Sequence, residues 1–212
     1  MNKNKQICLV SCSVLEPELN YLIKTGKLDV DLVFINKNFH VDYSLIEQNI
    51  RKTLKSTLKR YPGKVVLVYG DLCLGPDNEM NQLAKEYGVV KIEALNCIDC
   101  QLGGKGKFET ADPEHKLMFM SVGMIDFFKD IKTQLAMQGV FDEVVFQKMF
   151  SNIEGFIILD TVNNSEECLC ELEKLNIGVK VIEIRKIGVE NVCSIVLEAM
   201  ENLKNHDDIV KK

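Results

Sequence analysis

No run of apolar residues in this 212-residue chain is long enough to cross a membrane, and no secretory apolar segment follows Met1-Asn2-Lys3-Asn4-Lys5. These absences argue against a spanning helix and an export signal, and the expected address is the cytoplasm. A strong charge of one sign is missing too. Twenty-six Lys and Arg stand against 31 Asp and Glu, a net charge of −5, so nonspecific nucleic-acid binding is not the expected role. The G-x-x-x-x-G-K-[ST] spacing of a phosphate loop is absent. No tandem repeat is evident, although the second half reads as a loosely related α/β unit. Tryptophan is absent, which by itself excludes nothing.

What is present is an ordinary soluble composition, 46% hydrophobic and 27% charged. The length suits one large domain or two small lobes. Eight cysteines stand out. In a cytoplasmic chain they point to metal binding, redox chemistry or burial rather than a disulfide framework, and an anaerobic host would suit them.

Short apolar runs read as strands at 6–12, 30–35, 64–69, 89–95, 116–121, 156–159 and 179–184. Helical periodicity separates them over Glu16–Lys24, Tyr43–Tyr61, Asn78–Tyr87, 124–137, 141–151, Ser165–Leu175 and Val189–Asn205. The alternation predicts an α/β fold, a doubly wound and mostly parallel sheet, in one body or as two Rossmann-like lobes. The expected division is a metal-binding lobe at 1–122, a helical hinge with a second α/β half at 123–205, and a polar tail at 206–212. Residues 96–113 read as a glycine- and lysine-rich loop.

Cys12, His40, Cys73, Cys97 and Cys100 follow the first four strands. Parallel sheets bind ligands outside the carboxyl ends of their strands, so these side chains can converge. Cys97-Ile98-Asp99-Cys100 is also a Cys-x-x-Cys. Three or four thiolates at about 2.3 Å hold Zn²⁺ or an Fe–S cluster. The alternative is burial of small residues at strand ends, the reading given to Cys8, Cys168, Cys170 and Cys193. His40 is a nitrogen ligand, a general base or a loop histidine, whereas His115 and His206 read as surface residues. Glu16 and Glu18 flank Pro17 where carboxylates favour a helix start, and Glu18 is the candidate to point back toward the sheet edge as a catalytic group. Asp160 is a candidate catalytic contact from the second half, or a cap for the next turn. Two loops are suited to close approach: Gly70 to Pro76, through Gly70 and Gly75, and Gly103-Gly104-Lys105-Gly106-Lys107. The second, with Lys105 and Lys107, would receive an anion or is a flexible basic loop.

An ordered set of short motifs links these sites: Cys12 with Pro17-Glu18, His40, the Tyr-Gly-x-x-Cys-x-Gly turn from Tyr69 to Gly75, Asp99-Cys100 before Gly103-Gly104, and Asp160-Thr161. In these the chain resembles the family called domain of unknown function 1638, of archaea and anaerobic bacteria. The resemblance implies company with corrinoid-dependent methyl transfer in methanogens and acetogens. It also implies that Cys12, Cys73 and Cys100 are the core thiols and that Cys97 is a subgroup feature. The fourth ligand stays open among Cys97, His40, Glu18 and water, and so does the choice of Zn²⁺ or Fe–S.

Three functions follow as expectations. A thiolate-bound Zn²⁺ would activate an anionic small-molecule thiol, accepting a methyl group from a corrinoid partner protein as a methyltransferase or its accessory. An Fe–S centre would serve electron transfer or corrinoid activation. A closed site would only stabilise a noncatalytic binding module. A homodimer is a common arrangement for α/β proteins of this kind.

Overall fold

A strand buried on both faces reads as a near-continuous apolar run, and Cys8-Leu9-Val10-Ser11-Cys12 and Val65-Val66-Leu67-Val68 are such runs, broken only by Ser11. In the computed structural model, which describes residues 7–210 with side chains to 205, β1 (Cys8–Cys12) and β3 (Val65–Val68) are buried throughout. His206, expected at the surface, lies outside the residues whose side chains are described.

The first sheet is wholly parallel. It adds β2 (Asp31–Ile35) and β4 (Val90–Lys91) in the order β2-β1-β3-β4. Cys12 lies beside Ile35, and Ser11 lies between Phe34 and Val68. The chain moves from β1 outward to β2 and then crosses back to β3, so the strand order reverses between β1 and β3. That reversal splits the connecting helices between two faces and opens a crevice at the carboxyl ends of β1 and β3.

The helices follow their apolar stripes. α1 (Glu16–Lys24) starts with Pro17 in its first turn and buries Leu19 and Leu22 against one face, with Leu9 and Val66. α2 (Tyr43–Arg60) is capped by Asp42, whose carboxylate accepts from Ser44 N–H at 2.8 Å. It turns Ile46, Ile50 and Leu54 onto the other face, beside Met80 and Leu83 of α3 (Glu79–Tyr87).

The second sheet is also parallel, in the sequential order β5-β6-β7: β5 (Leu117–Met120), β6 (Gly155–Asp160) and β7 (Val181–Lys186). Without a reversal, right-handed crossovers put the connecting helices on one face. There α6 (Val122–Met137), α7 (Glu143–Lys148) and α8 (Ser165–Leu175) pack Phe128, Phe146 and Leu172 on Phe156 and Ile158. The opposite face, with Phe119, Ile157 and Leu159, is covered by Ile98 and Phe108, which extend from the first lobe. The doubly wound α/β fold is thus present as two parallel sheets.

Several boundaries differ from the sequence reading. Only Val90 and Lys91 of the run 89–95 pair with β3, because the carbonyls of Ala94 and Leu95 accept from the backbone of Asp71 and Leu72 instead. The loop 96–113 contains two short helices, α4 (Cys97–Leu102), capped by the Asn96 side chain, and α5 (Lys107–Ala111). β5 precedes residue 122 but belongs to the second sheet. The closing helix α9 (Glu190–Val210) returns to the first lobe, where Val192, Val196 and Leu203 fill the face that α1 covers only in part. It runs into the segment read as a polar tail. Helical periodicity finds a helix but does not say which sheet it covers. Among the described residues, no helix is long and apolar enough to cross a membrane.

Candidate metal centre

Four elements bring sulfur or nitrogen to the crevice between β1 and β3. Cys12 is the last residue of β1, and its sulfur accepts from the Val14 N–H at 3.4 Å as the chain enters a 3-10 turn. Cys73 sits in the 3-10 turn Asp71–Leu74 directly after β3. Gly70 makes that turn possible, since a Cβ there would stand 2.3 Å from the Leu95 carbonyl oxygen. Cys97 opens α4. His40 comes from the 3-10 turn Lys37–Val41 after β2.

Cys12, Cys73, Cys97 and His40 line one cavity of about 20 Å³ together with Tyr69, Gly70, Leu15, Val68 and Ile92. That volume holds one water-sized particle. The Cys12 sulfur is 3.8 Å from His40 Nδ1. Nδ1 is also 3.2 Å from the Lys37 carbonyl, which can only accept, so Nδ1 carries the proton and Nε2 keeps its lone pair. This is how a metal-binding histidine is oriented by its other nitrogen. The imidazole stacks on Tyr69 at 6.2 Å. Tyr69 is buried, and its hydroxyl has no hydrogen-bond partner among the described residues. Cys97 Sγ lies 4.0 Å from Met124 Sδ, so α6 of the second lobe packs against this cysteine.

Burial sets the electrostatics. It lifts the Cys12 thiol to about 12, against a smaller lowering from the Val14 N–H. It lifts Cys73 to about 11 and Cys97 well above the usual thiol value. It holds His40 down, in the neutral form that can donate a lone pair. These thiols are protonated near neutrality, and a bound cation is the partner that would take the place of their protons. Among the described residues, however, no three His, Cys, Asp or Glu side chains already stand as a metal-holding group. The donors share a cavity without converging on one point, so holding an ion requires their side chains to turn inward.

The other expected residues take different places. Cys100, one helical turn from Cys97, is buried with Leu9, Leu19 and Val196 and does not line the cavity. Glu18 is wholly buried under the second lobe. Its Oε1 accepts from Thr161 Oγ1 at 2.7 Å and from Gln101 Nε2 at 2.9 Å, and Gln101 also donates to Ser121 Oγ at 3.0 Å. Glu18 Oε2 and Gln101 Oε1 are buried without partners among the described residues. Glu18 is therefore part of the joint between lobes rather than of the cysteine cavity. Asp160 accepts from the Asn164 N–H at 2.9 Å, as the cap of the turn into α8. Gly75 has φ 131°, the left-handed half of backbone space, where the chain turns toward α3. Gly103 faces Asn191 and Gly104 faces Ile195, both of α9. Lys105 is held by Asp71 at 2.6 Å, and Lys107 is the exposed first residue of α5. Cys170, expected inside, is exposed, because the helical period turns Cys168 and Leu172 inward instead.

Sequence reasoning missed two supports. Asp99 is fully buried and accepts from the backbone of Leu95, Gly106 and Phe108 at 3.0, 2.8 and 2.7 Å, which folds the glycine-rich segment around one carboxylate. Asp71 accepts from Lys91 and Lys105, both at 2.6 Å. Burial pushes the Asp71 carboxyl up, but the two ammonium groups outweigh it and hold it below the usual range. An aspartate inside a Cys-x-x-Cys was the available signal for Asp99.

Residues 34–186 match the family described as Protein of unknown function (DUF1638). The chain belongs to this family. The DUF1638 match takes in His40, Cys73, Cys97, Cys100 and Asp160, whereas Cys12, Glu18 and α9 lie outside its span. No curated protein and no solved structure matches the chain.

Proposed function

We propose that this protein binds a single soft metal ion, zinc foremost, between Cys12, Cys73, Cys97 and His40. The observation that carries the reading is that these four donors, from four separate elements, line one ion-sized cavity at the topological switch point. Three sulfurs and one imidazole are a common zinc set. A volume of about 20 Å³ suits one ion and is too small for a cluster of several irons and sulfides, so zinc is favoured over Fe–S. Cys97, rather than Cys100, completes the set.

The ion would supply charge to keep the buried sulfurs as thiolates. The chain's own part is clear. The Lys37 carbonyl orients His40, and Leu15, Val68 and Ile92 line the walls with apolar side chains. Four protein donors favour a metal-stabilised module over a thiol-activating enzyme, which needs an open fourth position. Methyl transfer with a corrinoid partner stays an expectation of the resemblance.

The test is anaerobic purification followed by metal analysis and an absorption spectrum. Stoichiometric zinc in a colourless protein, lost in Cys73→Ser and kept in Cys168→Ser, is the expected outcome. A brown protein with iron and sulfide would replace this reading with the cluster. A metal-free protein that takes up neither zinc nor cobalt would leave the cysteines as core packing.

A further inference from the structure

β7 is an edge strand with apolar side chains in the open. Among the described residues it pairs with β6 alone, in a register that shifts once between Phe156 and Ile157, and Ile182 and Ile184 are 57% and 41% exposed. Beside it, Leu169, Leu172, Ile177, Val179 and Val181 line an open groove between α8 and the start of β7. The loop Asn176–Gly178 that leads into β7 is tied to α7, since Gln147 donates to the Asn176 carbonyl at 2.9 Å. Val144 and Val145 of α7 and Met149 just after it are exposed as well. A bare edge of this kind is a template for pairing with another strand, and soluble proteins cover it or blunt it with charge.

The charges on β7 select the partner. Along Val181-Ile182-Glu183-Ile184-Arg185-Lys186, the acid and the base stand two residues apart, on one face, about Ile184. In an antiparallel pair of two identical strands centred on Ile184, Ile184 meets Ile184. Glu183 then meets the second copy's Arg185, and Arg185 meets the second copy's Glu183. Both cross-strand positions carry opposite charges in that register. A shift of two residues that centres the pair on Glu183 or Arg185 sets like charges face to face. Glu183 and Arg185 bridge each other within the chain at 2.8 and 2.9 Å, with the Arg185 guanidinium 5.8 Å from the Phe119 ring, so pairing exchanges this bridge for the one between copies.

We propose that β7 pairs antiparallel with β7 of a second copy of this chain, centred on Ile184, joining two three-stranded sheets into one of six strands. The twofold axis passes through the Ile184 pair, and the contact is isologous and closes on itself. The pairing leaves the cysteine cavity in the other lobe untouched.

Size-exclusion chromatography with light scattering tests this, with circular dichroism to verify folding. The wild-type chain, 24.1 kDa as a monomer, is expected at twice that mass. Ile184→Lys, Glu183→Arg and Arg185→Glu should each raise the dissociation constant about tenfold or more, since each sets like charges together at the twofold. The double variant Glu183→Arg with Arg185→Glu restores opposite charges at both positions, and the dimer should return. A monomeric wild type, a dimer indifferent to the single charge reversals, or a double variant that stays monomeric would each overturn the proposal.

Discussion

The two lobes are built from the same parts and differ in one turn of connectivity. The first sheet reverses its order between β1 and β3, and the second runs straight through β5-β6-β7. The reversal gives the first lobe a crevice, and the sulfur and imidazole donors stand in it. The second lobe has no reversal, and its strand-end carboxylate, Asp160, is absorbed as a cap. Surface follows the same division. Among the described residues, seven of the twelve large apolar side chains that are exposed lie between Met137 and Ile184, in the second lobe. One lobe holds the candidate site, and the other packs against it and exposes more of the apolar surface.

The strongest way to break this comparison is at the seam. A Cβ on Gly123 of α6 would stand 1.9 Å from the Val14 carbonyl oxygen, where the second lobe rests on backbone of the first. Gly123→Ala is expected to cost about 3 kcal/mol or more, because neither backbone can give way cheaply. Urea unfolding followed separately in each lobe would read it. If the lobes act as one unit both transitions move together, and an unchanged midpoint would mean that the seam is looser than it looks.

Glu18 sharpens the comparison through pH. Burial raises its pKa, against hydrogen bonds from Thr161 and Gln101, so the folded protein keeps a proton that the unfolded chain has released. Above the ordinary carboxylate value, stability therefore falls as pH rises through the raised folded value. Glu18→Gln keeps an oxygen for Thr161 and removes the charge. It should flatten this fall and stabilise the protein near neutrality by about 1 kcal/mol. Urea midpoints at mildly acidic and mildly alkaline pH compare the two proteins, and parallel profiles would show that Glu18 is not the group responsible.

The smallest expected effect belongs to Lys105. Its ammonium is half exposed and pairs with Asp71 at 2.6 Å. Lys105→Ala should cost below about 1 kcal/mol and leave metal content unchanged, because the buried Lys91 still holds Asp71 under the Cys73 turn. Loss of zinc in this variant would assign the exposed lysine a part in the site that its geometry does not show.

Much of this was legible in the chain. The apolar runs of β1 and β3, the stripe Ile46-Ile50-Leu54 and the helix bounds Glu16–Lys24 and Ser165–Leu175 come directly from periodicity, because burial alone decides them. Positions after strands grouped Cys12, His40, Cys73, Cys97 and Cys100, of which Cys100 does not line the cavity. What periodicity could not resolve was direction. Cys97 and Cys100 are one turn apart, yet one faces the cavity and the other the core, a choice made by how α4 docks on α9. Lys105 looked free because its partner, Asp71, lies far away in sequence. Gln101, Ser121 and Thr161 gave no signal, since each is an ordinary polar residue until the lobes close around Glu18.

The return of α9 governs the order in which the molecule can be made. Val192, Val196, Ala199 and Leu203 complete the same layer as Leu9, Val66 and Ile92. A chain still on the ribosome, with the first sheet formed but residues 189–203 not yet emerged, therefore presents that layer bare. The second lobe can gather its own helices as they appear, through contacts close in sequence. The cysteine-bearing lobe must wait for the most distant contacts in the protein, which makes it the slow half to fold and the half most in need of protection during synthesis.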